Sequence, residues 1–268
     1  MSLNVQTEFE EIRKMYDSAA YNKTFNAIIY GDMGSGKTNL LRTCRKPVLV
    51  HSFDPGGTKT IRDEIMAGSI VVDSRFEQED PKDPKAFDLF DKEYHRLKKG
   101  GMFNQIGTYA IDSATTWAAA AMNLVLKKAG RPGGQPFQQD YLPAMTMIEN
   151  AIRDMTGLPC DCVLICHEDV DKDEGSGRMF VGPLFVGKLK VRVPALFDEV
   201  YHAEAKETSG SVVYSLLTRS TGLYKARTRL GRGGIFDVRE VQDIKALLKK
   251  AGFDTSDKQL TTTPTTAK

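Results

Sequence analysis

Short apolar runs alternate with stretches of helical period along most of this chain. Phe9, Ile12, Met15 and Tyr16 fall on one face of a helix predicted over Glu8 to Ala20. Ala27-Ile28-Ile29-Tyr30, Pro47 to Ser52, Ile70-Val71-Val72, Gly107 to Ser113 and Cys162 to Cys166 are compact apolar runs closed by turn or polar residues. That is the pattern of strands buried on both faces. Between them lie helix-compatible stretches: Asn39 to Arg42, Ala86 to Lys99, the Ala-rich segment Ala114 to Ala129 with Trp117 as a core residue, and Leu142 to Thr156. Strand and helix in alternation predict an α/β fold with a mostly parallel central sheet flanked by helices. Phe197 to Ala205 and Val212 to Thr218 read as C-terminal antiparallel strands, and Val238 to Lys250 as an amphipathic helix.

Segments without either period complete the expected organisation. The acidic, Pro-punctuated stretch from Asp73 to Asp91 reads as a surface connection, and residues 130–140 and 169–182 as flexible loops. The division expected is an N-terminal helix or packing arm over 1–23, one large domain over 24–252 and a disordered Thr-rich tail over 253–268. For the first helix, a core helix is the alternative to an arm.

Composition narrows the class. A net charge of +2 over 268 residues means that any affinity for nucleic acid must come from a local cluster. No apolar run approaches a bilayer span and the acidic start Thr7-Glu8-Phe9-Glu10-Glu11 is unlike a leader, so a soluble cytoplasmic protein without membrane contact is expected. Cys160, Cys162 and Cys166 precede His167, but the run Cys162-Val163-Leu164-Ile165-Cys166 fits a buried strand better than zinc-bearing turns.

The strongest chemical signal is Gly31-Asp32-Met33-Gly34-Ser35-Gly36-Lys37-Thr38, a complete phosphate-binding loop placed directly after an apolar strand. Its glycines let successive N–H groups curl around phosphate oxygens, with a following helix that starts at Asn39 adding its positive end. Lys37 would reach the β- and γ-phosphates, and Thr38 would ligate Mg²⁺. Asp112, closing a strand expected beside the loop, would hold the Mg²⁺ shell through water, with Ser113 orienting it. ATP and Mg²⁺ are the expected cofactors. A second cluster lies at residues 219–232, with five cations and no acid. If the segment is extended, Lys225, Arg227 and Arg229 project on one face, for a neighbour's nucleotide, a nucleic-acid backbone or plain solvation.

Taken in order, the phosphate loop, Phe53-Asp54-Pro55-Gly56-Gly57, the Asp112 strand, His167, Gly187-Lys188-Leu189-Lys190 and Tyr224-Lys225-Ala226-Arg227-Thr228-Arg229 resemble the phage-encoded RecA-like core ATPases. That group includes single-strand annealing proteins of the Sak type, and the resemblance covers about residues 24 to 235. It implies a RecA-like P-loop core in which Asp54 takes the place of the glutamate that polarises the attacking water. Asp54 is shorter than that glutamate and is followed by Pro55, and Glu168 stands as an alternative base. The resemblance further implies that His167 is a polar sensor at a strand end, where a simple strand cap is the alternative. Lys225 and Arg227 would be cations inserted into the neighbouring subunit's ATP site. The two flexible loops would hold single-stranded DNA, with Arg131, Phe137, Arg178, Lys188 and Lys190 as contacts.

The function so implied is ATP-driven binding of single-stranded DNA and strand annealing or recombination in phage DNA metabolism. Copies would stack head to tail as a ring or filament, with a single-strand binding protein as a further partner. The competing expectation is an assembly ATPase or switch that acts on proteins without touching DNA.

Overall fold

The computed structural model describes residues 4–18, 23–172, 175 and 177–260. In chain order the elements are α1 (Val5–Ser18), β1 (Asn26–Tyr30), β2 (Val48–Ser52), α2 (Arg62–Met66), β3 (Ile70–Asp73), α3 (Ala86–Lys99), α4 (Met102–Gln105), β4 (Thr108–Asp112), α5 (Ala114–Lys128) and α6 (Gln138–Met155). Then come β5 (Asp161–Cys166), β6 (Glu168–Lys172), β7 (Met179–Pro183), α7 (Leu189–Leu196), β8 (Glu199–Thr208), β9 (Ser211–Leu217), β10 (Arg239–Val241) and α8 (Ile244–Lys250).

Eight strands form one sheet in the order β10-β9-β8-β1-β5-β4-β2-β3. The six from β8 to β3 run parallel, and β9 and β10 close one edge antiparallel. The expected α/β class with C-terminal antiparallel strands is therefore what the chain adopts. The apolar runs read as strands because both faces are covered. Ile28 and Tyr30 of β1 point into a core shared with α3, α5, α6 and α7, while Ala27 and Ile29 point into a second core closed by Leu40, Leu41 and α8. Trp117 is fully buried between Phe87 and Phe90. Cys162 and Cys166 fill the same core as small apolar side chains.

Several local expectations fail for identifiable reasons. The phosphate loop is followed by a 3₁₀ turn, Asn39–Thr43, and no α-helix forms. Residues 39–46 must bury Leu40, Leu41 and Cys44 and then reach Pro47, before which helical backbone is disfavoured. Most of the described residues of 169–182, expected as a flexible loop, are strand. Val170, Phe180 and Val181 supply enough β-prone side chains to zip β6 and β7 into an antiparallel pair, with Glu168 opposite Pro183; Asp173, Glu174 and Ser176 lie outside the described residues. The helix expected from Val238 begins only at Ile244, because Asp243 caps it by accepting from the Ala246 amide (2.9 Å) and Arg239–Val241 pairs with β9 instead. Nothing in the periodicity pointed to α7. Finally, β5 lies between β1 and β4, so the strand of Asp112 is one removed from the phosphate-loop strand.

The described residues towards either end are not built like those between. Every described side chain of α1 is exposed, with Phe9 65%, Met15 65% and Tyr16 60% accessible, so the helix is no part of the core. At the other end residues 253–260 have no regular structure but are tied down: the Lys258 amide donates to the Lys46 carbonyl (2.8 Å) and Lys245 pairs with Asp257. The rest of the expected disordered tail lies outside the described residues.

At the base of the sheet, Asp161 is buried against Arg45, whose Nε donates to Oδ2 at 2.7 Å, and its Oδ1 also takes the Phe25 amide at 2.8 Å. Burial pushes the Asp161 carboxyl up, with Arg45 pulling against it. Removing one member of such a pair strands the other. Asp161→Ala is expected to destabilise the protein by about 3 kcal/mol in urea unfolding. A loss under about 1 kcal/mol would mean that water replaces the carboxylate.

Candidate functional site: a phosphate cleft at the sheet rim

The ends of β1, β5, β4 and β2 open on one cleft of about 590 Å³, in the size range of ligand sites. Gly34 and Gly36 sit at φ +77° and +88°, a region that disfavours other residues, and this curls the loop. The amides of Gly34, Gly36, Lys37 and Thr38 have no hydrogen-bond partner among the described residues. An unpaired row of donors in a concave loop fits an anion. Asp32 accepts from the Met33 amide (2.7 Å) and Asn39 accepts from Arg42 (3.3 Å), which fixes the two shoulders of the loop.

Lys37 is buried and folds back, donating to the carbonyls of Gly31 (2.8 Å) and Asp32 (2.7 Å). Burial holds its pKa below the usual lysine value despite the pull of Asp112, Glu168 and Asp32. A phosphate offers that ammonium a stronger partner than two carbonyl dipoles. Thr38 Oγ1 donates to Asp112 Oδ2 at 2.6 Å, so a hydroxyl and a carboxylate meet at one point. Burial raises the Asp112 carboxyl to about 6, with the Thr38 hydrogen bond opposing and Asp54 adding to the rise. Hard oxygen donors beside such a donor loop suit Mg²⁺, which Thr38 and Asp112 could hold.

Asp54 comes from the turn after β2 and is gripped from three sides. Its Oδ1 accepts from Ser113 Oγ (3.0 Å) and from Thr116 Oγ1, and its Oδ2 faces His167 Nε2 at 3.1 Å. Ser113 therefore orients Asp54, where the sequence had suggested Asp112. Ser113 caps α5 and Thr116 lies in its first turn, and the positive end of that helix favours the carboxylate. Burial alone would raise the Asp54 pKa, but hydrogen bonds from His167, Thr116 and Ser113 outweigh it and hold the group below its ordinary value. In turn the bond to Asp54 lifts His167 above the usual imidazole value against the effect of burial. The His167 amide donates to Thr115 Oγ1 (3.1 Å), which ties the end of β5 to α5.

The remaining candidates do not join this cleft. Glu168 turns to the other flank, where it meets His202 Nε2 at 3.0 Å. The basic segment forms no extended row: Arg227 is drawn inward and donates to the carbonyls of Pro194 (2.7 Å) and Phe197 (2.5 Å), and Arg229 pairs with Asp198 (2.9 Å). Lys225 Nζ lies 3.2 Å from the centre of the Phe180 ring. A short-range alternation of cations could not reveal these folded-back geometries. Of the five residues suggested for DNA, Arg131 is held by both oxygens of Asp140 and stacks over Phe137, Arg178 donates to the Gly222 carbonyl, and Lys190 pairs with Asp171. Phe137 and Lys188 are exposed.

Two contributors escaped the sequence reading entirely. Tyr214 of β9 lines the cleft, and Gln242 Nε2 donates to the Ser35 carbonyl at 2.7 Å. Both come from distant parts of the chain and carry no local signature.

Comparison with known proteins agrees with the motif. The AAA_24 family, described as an AAA domain, matches residues 23–230. No curated protein matches the chain. Among solved structures the chain is similar to the flagellar accessory protein FlaH from Methanocaldococcus jannaschii, at 11% identity and a TM-score of 0.43, covering 80% of this chain and 83% of that one. It is also similar to the KaiC-like protein PH0186 from Pyrococcus horikoshii OT3, at 11% identity and 0.40, covering 76% and 81%. An ATPase from the type III secretion system of pathogenic bacteria gives 14% and 0.42, covering 67% of this chain and 51% of that one. Such low scores carry no correspondence of residues. No helix among the described residues is long and apolar enough to cross a membrane.

Proposed function

This chain belongs to the AAA_24 family of AAA domains, and from that membership and the geometry of its cleft we propose that it is a RecA-like P-loop ATPase. The observation that carries the proposal is the meeting of three sets of groups in one cleft. These are the donor loop with Lys37, the Thr38–Asp112 pair, and the Asp54–His167 pair. The loop amides and Lys37 bind the phosphates of ATP. Mg²⁺ at Thr38 and Asp112 would neutralise charge between them. Asp54, saturated with donors and lowered in pKa, is a weak proton acceptor and serves to fix the imidazole. His167, raised in pKa, is the better general base for the attacking water.

We further propose that copies associate head to tail, with single-stranded DNA as the working ligand in annealing or recombination, in the cytoplasm of a phage-infected cell. The support is the resemblance together with exposed Phe137 and Lys188; a single-strand binding protein fits as a helper. A second reading, an assembly ATPase on protein partners, is favoured by a specific observation. The apolar side chains Phe9 and Ile12 of α1 and Val212 and Val213 of β9 are half or more exposed, which suits protein contact better than DNA.

Turnover measured with and without single-stranded DNA separates the two. Under the DNA reading, an oligonucleotide stimulates hydrolysis and the stimulation falls steeply with salt. If DNA neither binds in ATP and Mg²⁺ nor changes the rate, the protein-partner reading stands.

A further inference from the structure

The nucleotide cleft has two flanks, and the sheet order separates them. Asp54 and His167 follow β2 and β5 and Asp112 closes β4, all on one side of the phosphate-loop strand β1. On the other side lie β8 and β9, and Tyr214 of β9 reaches back to line the same cleft. Its ring is close to the loop itself: a Cβ added to Gly36 would lie 2.9 Å from Tyr214 Cδ1 and 2.5 Å from Gln242 Oε1. Gln242 holds that edge in place, with Nε2 donating to the carbonyls of Ser35 (2.7 Å) and Ser215 (3.1 Å), so its side chain bridges the residue next to Tyr214 and the loop. Tyr214 is nevertheless 46% exposed, and it is the one aromatic ring other than His167 among the described residues that line the cleft.

A triphosphate laid on the loop with its terminal phosphate toward Asp54 and His167 must leave the loop on the opposite flank. That direction delivers the nucleoside to Tyr214. We infer that the Tyr214 ring is the platform on which the nucleobase stacks, and that the site takes a purine nucleoside triphosphate in preference to a pyrimidine one. The inference rests on the reading of the cleft as an ATP site. Stacking uses the π-face and not the base edge, so a purine gains over a pyrimidine by its larger ring area, and adenine and guanine differ little.

The full-length chain tests this with three ligands in Mg²⁺: ATP, CTP and inorganic tripolyphosphate. Tyr214→Ala is expected to weaken ATP about tenfold or more and to leave tripolyphosphate within about twofold of its original affinity. Tyr214→Phe should keep ATP binding within about threefold, since the ring is retained. Wild type should hold ATP more tightly than CTP, and Tyr214→Ala should erase the difference. Equal losses for ATP and tripolyphosphate would overturn the inference, because the ring would then support only the loop. Unchanged ATP binding in Tyr214→Ala would overturn it as well. Lys37→Ala keeps the two levels apart: it should lose both ligands. A wild-type chain that binds neither ATP nor tripolyphosphate removes the nucleotide site altogether, and this inference with it.

Discussion

Lys37→Ala is expected to weaken ATP binding by at least about a hundredfold, the loss of a buried charge-assisted contact with the phosphates. The fold should survive. Without nucleotide the ammonium meets the carbonyls of Gly31 and Asp32 and, at 3.5 Å, the Ser35 hydroxyl, and burial already works against its charge. Stability of the nucleotide-free variant should therefore stay within about 1 kcal/mol of wild type. The readout is thermal unfolding with and without ATP and Mg²⁺. Wild type at a hundred times its dissociation constant gains about 2.7 kcal/mol, seen as a rise in Tm, and the variant at the same ATP concentration gains no more than about 0.4 kcal/mol. A variant that rises as far as wild type with ATP would show that the phosphates bind elsewhere.

Asp54→Asn should lower turnover by about 10² to 10³ while ATP affinity stays near wild type, the size of a lost general-base arrangement. An amide keeps the bonds from Ser113 and Thr116 but no longer stabilises the imidazolium or fixes the productive ring tautomer at His167. The pH profile carries the sign. His167 has a folded pKa above its ordinary 6.5, so it is protonated and inactive as a base in mild acid, and turnover should fall as pH drops through that raised value. Asp54, held below its ordinary value, stays ionised across the same range and adds no limb there. In Asp54→Asn the His167 pKa falls, and the acid limb of the residual activity should move to lower pH. A limb that does not move, or full activity in the variant, would remove the pair from catalysis.

What could be read in the sequence shares a physical cause. The phosphate loop is legible because its chemistry is contiguous: glycines, Lys37 and Thr38 act from one turn of chain. The parallel strands are legible because burial on both faces leaves unbroken apolar runs. The β6–β7 pair was hidden because the acidic residues around its few β-prone side chains, Val170, Phe180 and Val181, outweigh them. Thr38 and Asp112, read from separate motifs, meet in one hydrogen bond, whereas the Ser113 hydroxyl, expected to orient Asp112, donates to Asp54. A hydroxyl one residue after an acid can serve either that acid or another brought to it by the sheet, and only the register of β2 against β4 decides. Arg227 shows the same limit. Its place in a basic run suggested outward charge, whereas the carbonyls of Pro194 and Phe197 turned it inward.

The bond from Gln242 to the Ser35 carbonyl spans 207 positions. During synthesis the phosphate loop leaves the ribosome long before its brace exists, and β8 to β10 must be made and folded back before the bond can form. A nascent chain that ends before Gln242 carries every residue of the binding motif and lacks one of its walls. The phosphate loop is thus made well before the segment that finishes it, and nucleotide binding becomes a measure of whether β8 to β10 have been made and folded back.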